Sequence, residues 1–216
     1  MSEAPRLKIT EIFYSLQGES TFVGLPTVFV RLTGCPLRCH YCDTAYAFSG
    51  GEWMGLPDIL KRVSELGARF VCVTGGEPLA QRECLPLLRA LCDAGYQVSL
   101  ETSGAMAIDQ VDARVSRVVD IKTPGSGEEA RNLYAQLATL RAHDQIKFVI
   151  TDRQDYDWSA TKIRELQLDK RCTVLFSPSH EQLPARELAD WVLADQLPVR
   201  FQLQLHKYLW GNVPGH

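Results

Sequence analysis

RLTGCPLRCHYCDTAY, residues 31–46, sets Cys35, Cys39 and Cys42 in a C-x3-C-x2-C arrangement, with Pro36 tightening the loop and Asp43 and Thr44 directly behind it. Three thiols packed this closely in one loop form a metal site before anything else. A structural zinc site closes with four ligands and usually draws a second Cys or His pair from further along the chain. No such pair follows here, and zinc would have to be completed by His40. A cubane iron-sulfur cluster is held by four thiolates, so a loop supplying three leaves one iron open to a substrate or cofactor. Both metals fit the triplet taken alone.

Upstream of the loop, residues 7–14 and 27–33 are rich in β-branched and aromatic side chains and are predicted as strands. They are joined by LQGESTFVGLP, with Gly18, Gly24 and Pro26 as breakers. Downstream, Pro57 and Gly67 frame an amphipathic helix, PDILKRVSELG. FVCVT (70–74) is an apolar strand, and GGEP leads into a second helix ending near Gly95. The alternation continues with strands at 97–101, 117–121, 146–151, 173–177 and 200–205, and helices at 128–142, 158–168 and 184–195. Strands that are apolar throughout and alternate with helices predict a parallel sheet covered by helices. No repeat, linker or low-complexity segment interrupts the pattern, so the 216 residues are expected to form a single domain, 1–216.

Hydrophobic residues make up 45% of the chain and charged residues 23%, with a formal net charge of -3 and the two signs interspersed. This is an ordinary globular composition without the electrostatic footprint of a nucleic-acid or membrane binder. The start, MSEAPRLKITEIF, lacks the apolar run of a signal peptide, and no segment approaches a membrane span. A cytoplasmic location is expected. Of seven cysteines, Cys72, Cys84, Cys92 and Cys172 are scattered through apolar segments and read as buried free thiols.

The strands end in polar or Gly-rich residues: Thr74 to Glu77, Glu101 to Ser103, Asp120 to Lys122, Thr151 and Asp152, Ser177 to Ser179, His206 and Lys207. In parallel α/β folds the ligand lies at that edge, where the loops converge. Contact with solvent alone explains many polar strand ends. Glu101, Asp120 and Lys122 directly adjoin buried runs and are harder to explain that way.

The loop pattern C-x3-C-x-aromatic-C, with Tyr41 as the aromatic, is followed after the next strand by GGEP at 75–78. The glycine pair lets backbone approach a ligand closely. These two motifs in this order resemble the radical S-adenosylmethionine (SAM) superfamily. Within it, LQGE (16–19), VRLTGC (30–35), CDT (42–44), TGGEP (74–78), SLETSG (99–104) and HKYL (206–209) resemble the 7-carboxy-7-deazaguanine synthase family, over nearly the whole chain.

That resemblance implies an α/β fold, a partial (β/α) barrel of the radical SAM type with a mostly parallel sheet of about six strands and few covering helices. Irregular stretches are expected near 109–114 and 156–166, with a cluster loop at 34–46 and a C-terminal extension at 206–216. It further implies a lyase that converts 6-carboxy-5,6,7,8-tetrahydropterin to 7-carboxy-7-deazaguanine with loss of ammonia, a step towards queuosine and other 7-deazapurines. A 5'-deoxyadenosyl radical takes the C6 hydrogen, and Mg2+ assists the ring contraction. The cofactors are a [4Fe-4S] cluster, SAM and Mg2+. The partners are a flavodoxin or ferredoxin as electron donor and a second copy in a homodimer, with no nucleic acid or membrane.

Residue by residue, the resemblance gives Cys35, Cys39 and Cys42 to the cluster and Thr44 to Mg2+, a cation that prefers oxygen. Tyr41, Cys42, Asp43, Gly76, Glu101, Asp120, Ile121, Lys122, Ser177 and Ser179 would hold SAM. Leu16, Gln17, Gly18 and Glu19 would meet the pterin, Arg31 would clamp its carboxylate, and Thr74 would add a hydrogen bond. Read structurally, Thr44 is a helix or turn cap, and Arg31 an exposed strand residue opposite Val30 and Leu32. Relatives place the terminal carboxylate against the substrate, a role that the tail WGNVPGH, His216 included, leaves unassigned. Two rival readings are a glycyl-radical-enzyme activase, which would leave LQGE unexplained, and a non-catalytic zinc or iron-sulfur binding module.

Overall fold

The computed structural model describes residues 5–213 and 215, so His216 lies outside it. The apolar runs form its centre, as their composition requires. Val28, Val30, Leu32, Val71, Val73, Val98, Leu100, Val119, Ile146 and Phe148 are all buried in one core. They belong to a nine-stranded sheet made of β1 (Arg6–Leu16), β2 (Pro26–Leu32), β3 (Glu52–Gly55), β4 (Phe70–Gly75), β5 (Gln97–Thr102), β6 (Ser116–Asp120), β7 (Gln145–Ile150), β8 (Thr173–Pro178) and β9 (Arg200–Phe201). The order is β3-β1-β2-β4-β5-β6-β7-β8-β9. From β2 to β9 every pairing is parallel, whereas β1 pairs antiparallel with both β2 and β3. The mostly parallel sheet of a partial radical SAM barrel is thus present, with nine strands where about six were expected. The four-residue β3 is too short to leave a periodicity.

Helices α1 (Leu56–Leu66), α2 (Cys84–Asp93), α3 (Arg153–Leu166), α4 (Ala185–Ala194) and α5 (Leu205–Trp210) complete the fold. α1 stops at Gly67, whose left-handed φ of 69° suits a residue without Cβ. α2 buries Cys84, Leu87, Leu88 and Leu91, the i, i+3, i+4, i+7 stripe of an amphipathic helix. Among the described residues, no helix is long and apolar enough to cross a membrane.

Three local expectations fail for identifiable reasons. Residues 156–166 are regular helix, because Asp152 caps α3 by accepting from Asp155 N at 2.9 Å. The helix expected at 128–142 is replaced by 3-10 turns at Glu129–Arg131 and Tyr134–Thr139. Its polar side chains serve neighbouring backbone instead: the Asn132 amide bonds both Lys122 N and Lys122 O, and the Gln136 amide bonds Ile108 N and Gly104 O. The strand expected at 200–205 ends after Phe201, because the chain leaves the sheet to hold the LQGE loop. There Leu205 N donates to Gly18 O at 2.9 Å, and Ser20 N donates to the Gln202 side chain at 2.9 Å. The stretch 109–114 is irregular, as expected.

Candidate active site

Parallel register sets the polar strand ends side by side. Arg31 on β2 pairs with Thr74 on β4, and Asp120 on β6 with Lys147 on β7. These residues, with Glu101 of β5, line one cavity of about 230 Å³ at the C-terminal edge of the sheet. The loops that close it are the cysteine loop after β2, the LQGE segment after β1, and the C-terminal segment 204–207.

The cysteine loop is tied down on both flanks. Glu77 N donates to Gly34 O at 2.8 Å, and His40 N to Ser126 O at 3.0 Å. The Arg38 guanidinium donates to Cys35 O at 2.8 Å and stacks over Phe48 at 4.3 Å. Cys35, Cys39 and Cys42 are free thiols, all lining the cavity. Burial pushes Cys39 up to about 11. Among the described residues, no group of three or more His, Cys, Asp or Glu is drawn in tightly enough to hold a single ion. His40, the fourth ligand a zinc site would need, instead packs its ring against Gly127 and is not among the cavity-lining residues.

At Gly76 the close approach is to the cysteine loop itself. A Cβ there would stand 2.3 Å from Gly34 O and 2.8 Å from Cys35 Cβ, so only glycine lets the turn after β4 meet the cysteine loop. Behind it, the fully buried Glu77 carboxylate accepts from Leu79 N, Thr102 Oγ1, Ser103 N and Ser103 Oγ. That network fixes the ends of β4 and β5. Asp43 accepts from Thr44 Oγ1 at 2.8 Å and pairs with Lys207 Nζ at 2.8 Å. Burial would raise the Asp43 carboxyl, but the Lys207 charge holds it well below the usual carboxylate range. Thr44 heads a 3-10 turn without capping it through its side chain. Its proton goes to Asp43, which leaves oxygen lone pairs for a hard cation.

The LQGE segment forms the opposite wall. Gly18 is needed because a Cβ would come within 2.1 Å of His206 Nδ1. Glu19 is held by Lys147 Nζ at 2.6 Å and by Gln204 Nε2 at 2.8 Å. Gln17 and Thr74 donate to the two oxygens of Glu101, at 3.4 and 3.3 Å. Burial pushes the Glu101 carboxyl up, against the pull of Lys147. Arg31 is 15% exposed rather than a surface residue, with its Nε 2.7 Å from Glu11 Oε1 and its guanidinium within 6 Å of the Phe13 and Tyr46 rings. Among the described residues its terminal nitrogens make no hydrogen bond, and Arg31 lines the cavity together with Phe13 and Phe29, whose rings stack at 4.9 Å.

Of the site residues expected from the sequence, Leu16, Gln17, Gly18, Glu19, Arg31, Cys35, Cys39, Tyr41, Cys42, Asp43, Thr44, Thr74, Gly76, Glu101, Asp120, Lys122 and Ser179 all line the cavity. Ile121 and Ser177 do not. Ile121 alternates away from Asp120 and Lys122 into the hydrophobic core, while the buried Ser177 hydroxyl has no partner among the described residues. Asp120 pairs with Lys122 at 3.0 Å through one oxygen, and its buried Oδ1 has no partner among the described residues. A buried acceptor without a partner, on a residue that lines the cavity, fits a cofactor rich in donors. Lys147, Gln204, Phe13 and Phe29 were missed, because nothing local in the sequence distinguishes them from ordinary strand and loop residues.

Comparison with known proteins bears on the arrangement as a whole. The radical SAM superfamily model matches residues 29–118. The 7-carboxy-7-deazaguanine synthase of Chlorobaculum tepidum is 47% identical, over 97% of this chain and 96% of its own length. That of Koribacter versatilis is 43% identical over 94% of this chain and 97% of its own. The crystal structure of QueE from Escherichia coli superposes with a TM-score of 0.77 at 26% identity, covering 93% of this chain and 95% of that one.

Proposed function

The chain belongs to the 7-carboxy-7-deazaguanine synthase family of radical SAM enzymes, and from that premise we propose how its residues divide the work. The reaction is the conversion of 6-carboxy-5,6,7,8-tetrahydropterin to 7-carboxy-7-deazaguanine with loss of ammonia. The observation that carries the reading is the convergence on one cavity of the three cysteines, the Arg31–Thr74 pair and Glu19.

Cys35, Cys39 and Cys42 would hold a [4Fe-4S] cluster, and their number leaves one iron for SAM. A cluster held there, with SAM bound and an electron donor present, would supply radical chemistry for hydrogen removal at C6 of the pterin. Tyr41, Cys42, Asp43, Gly76, Asp120 and Lys122 would bind SAM, the unpartnered Asp120 oxygen supporting that role. Ser179 would join them, and the orphaned Ser177 hydroxyl and the Ile121 backbone would lie just behind. Glu101 would sit where the two ligands meet, since its hydrogen bonds run to Gln17 and Thr74.

The pterin would lie with its guanidine-like edge on Glu19 and its carboxylate on the terminal nitrogens of Arg31. Leu16, Gln17 and Gly18 would frame it, and the stacked Phe13–Phe29 pair would offer an apolar wall that excludes water from a radical. Thr44 would present oxygen to Mg2+, its orientation fixed by Asp43.

Residues 1–216 would act as one radical SAM domain, with the cluster loop 34–46 and the extension 206–216 closing the site. Support comes from the single continuous sheet. A cytoplasmic homodimer reduced by flavodoxin or ferredoxin fits the family, and exposed Trp53 on the outermost strand β3 offers apolar surface for a second copy. Anaerobic incubation of reconstituted protein with SAM, Mg2+, a reductant and the pterin tests the reading. Appearance of a product lighter by ammonia supports it, while protein that carries stoichiometric zinc and no iron contradicts it.

A further inference from the structure

Lys147 is a cation set among the acids of the site. Its Nζ lies 2.6 Å from Glu19 Oε2 and 3.5 Å from Asp120 Oδ2, on a side chain only 11% exposed. Asp120 continues the chain to Lys122 Nζ at 3.0 Å, and Gln204 Nε2 closes the other end on Glu19 Oε1 at 2.8 Å. A continuous polar chain therefore runs Gln204–Glu19–Lys147–Asp120–Lys122 across the cavity, from the residues given to the pterin to those given to SAM. Without Lys147, Glu19 would be a buried carboxylate with no countercharge in contact, and isolated buried charges neutralise rather than persist.

We propose that Lys147 is a positioning residue for the reaction: it holds Glu19 ionised and aimed at the guanidine-like edge of the pterin while anchoring Asp120 in the SAM subsite. The two ligands then bind to one charge network. This rests on the assignment of Glu19 to the pterin and of Asp120 to SAM given above.

The groups facing Glu19 set its ionisation. They are Lys147 from β7, Glu101 from β5, and Gln204 and His206 from the C-terminal segment. Burial raises the Glu19 carboxyl, and Lys147 first, then His206, bring it below its ordinary value. In Lys147→Met the burial remains and the main compensating charge is gone. The carboxyl rises, and a ligand that needs it ionised is lost at a higher pH as the solution is acidified. His206 is itself held down in part by Lys147 and also moves up in the variant, and the Glu19→Gln background separates that movement from the effect on Glu19.

The test measures binding of 6-carboxytetrahydropterin, and separately of SAM, to the anaerobically reconstituted full chain by calorimetry from mildly acidic to mildly basic pH. Lys147→Met is expected to weaken pterin binding about tenfold or more and to move its acid limb up by about one pH unit. Lys147→Arg, which keeps the cation, restores most of both. In a Glu19→Gln background, where the lysine has no charge to hold, Lys147→Met adds little further loss of pterin affinity. That double variant leaves neither member of the pair unpartnered, so the comparison stands even where K147M alone fails to fold. Unchanged pterin affinity and pH limb in K147M, or a full second loss in the E19Q background, overturns the proposal. Wild-type protein that binds SAM and not the pterin instead removes the substrate assignment on which it rests.

Discussion

Lys207 Nζ lies 2.8 Å from Asp43 Oδ2, which ties the C-terminal helix to the residue immediately behind the last cluster cysteine. The same Asp43 fixes the Thr44 hydroxyl through its other oxygen. A contact across the chain thus orients the Thr44 oxygen that the proposed site would offer to Mg2+. Outer partners of this kind tune metal affinity. Lys207→Met is expected to raise the Mg2+ concentration for half-maximal turnover about tenfold while leaving iron and sulfide content unchanged. An unaltered Mg2+ titration would detach Lys207 from the metal.

Arg31 has its Nε engaged by Glu11 and its terminal nitrogens free among the described residues. A lysine can replace the charge but not the planar fork that meets a carboxylate through two parallel bonds. Arg31→Lys should lower kcat/KM for the pterin by about a hundredfold, equivalent to about 2.7 kcal/mol of transition-state binding, with the cluster intact. A change within experimental error would reduce Arg31 to the cross-strand partner of Glu11.

Gly76 meets Gly34 O and Cys35 Cβ with no room for a methyl group. Gly76→Ala is expected to push the turn after β4 away from the cysteine loop and to weaken SAM binding at least about tenfold, with far-UV circular dichroism unchanged. Equal SAM affinity in this variant would show that the two loops need not touch.

Arg117 and Asp144 form a fully buried pair away from the site, bonded at 2.5 Å, with Arg117 also donating to Ile108 O and Thr139 O. Arg117→Met leaves the carboxylate buried without its countercharge, bonded by the backbone N–H groups of residues 117 and 141, a loss of about 3–5 kcal/mol read as a lowered Tm. Burial raises the Asp144 carboxyl, but hydrogen bonds from Arg117 bring it below its ordinary value. Its contribution is therefore complete above the unfolded carboxylate pKa of about 3.9 and fades as pH falls through the folded value. The stability gap between wild type and Asp144→Asn should narrow in acid. A gap that widens there reverses the sign.

What the sequence makes legible is what lies within one segment. The cysteine triplet, LQGE, CDT and TGGE each carry their chemistry in a few neighbouring residues; the parallel register of β2 and β4 sets the cysteine loop beside TGGE, whereas LQGE, at the end of the antiparallel β1, reaches the cavity from the other end of β2. The partners of those residues are a different matter. Lys147 reaches Glu19 across 128 positions and Gln204 reaches it across 185, and neither sits in a pattern that marks it. The lost helix at 128–142 has the same origin, since Asn132 and Gln136 serve backbone groups elsewhere that no local propensity reveals.

The measurement that bears most directly on the account is anaerobic turnover of the pterin deuterated at C6, with reconstituted protein, SAM, Mg2+ and reductant, followed by mass spectrometry. The account predicts a product lighter by ammonia, with deuterium appearing in the adenosyl group of SAM or 5'-deoxyadenosine. Formation of 5'-deoxyadenosine with the pterin untouched would contradict it, keeping the superfamily chemistry but pointing to another substrate, such as a protein partner.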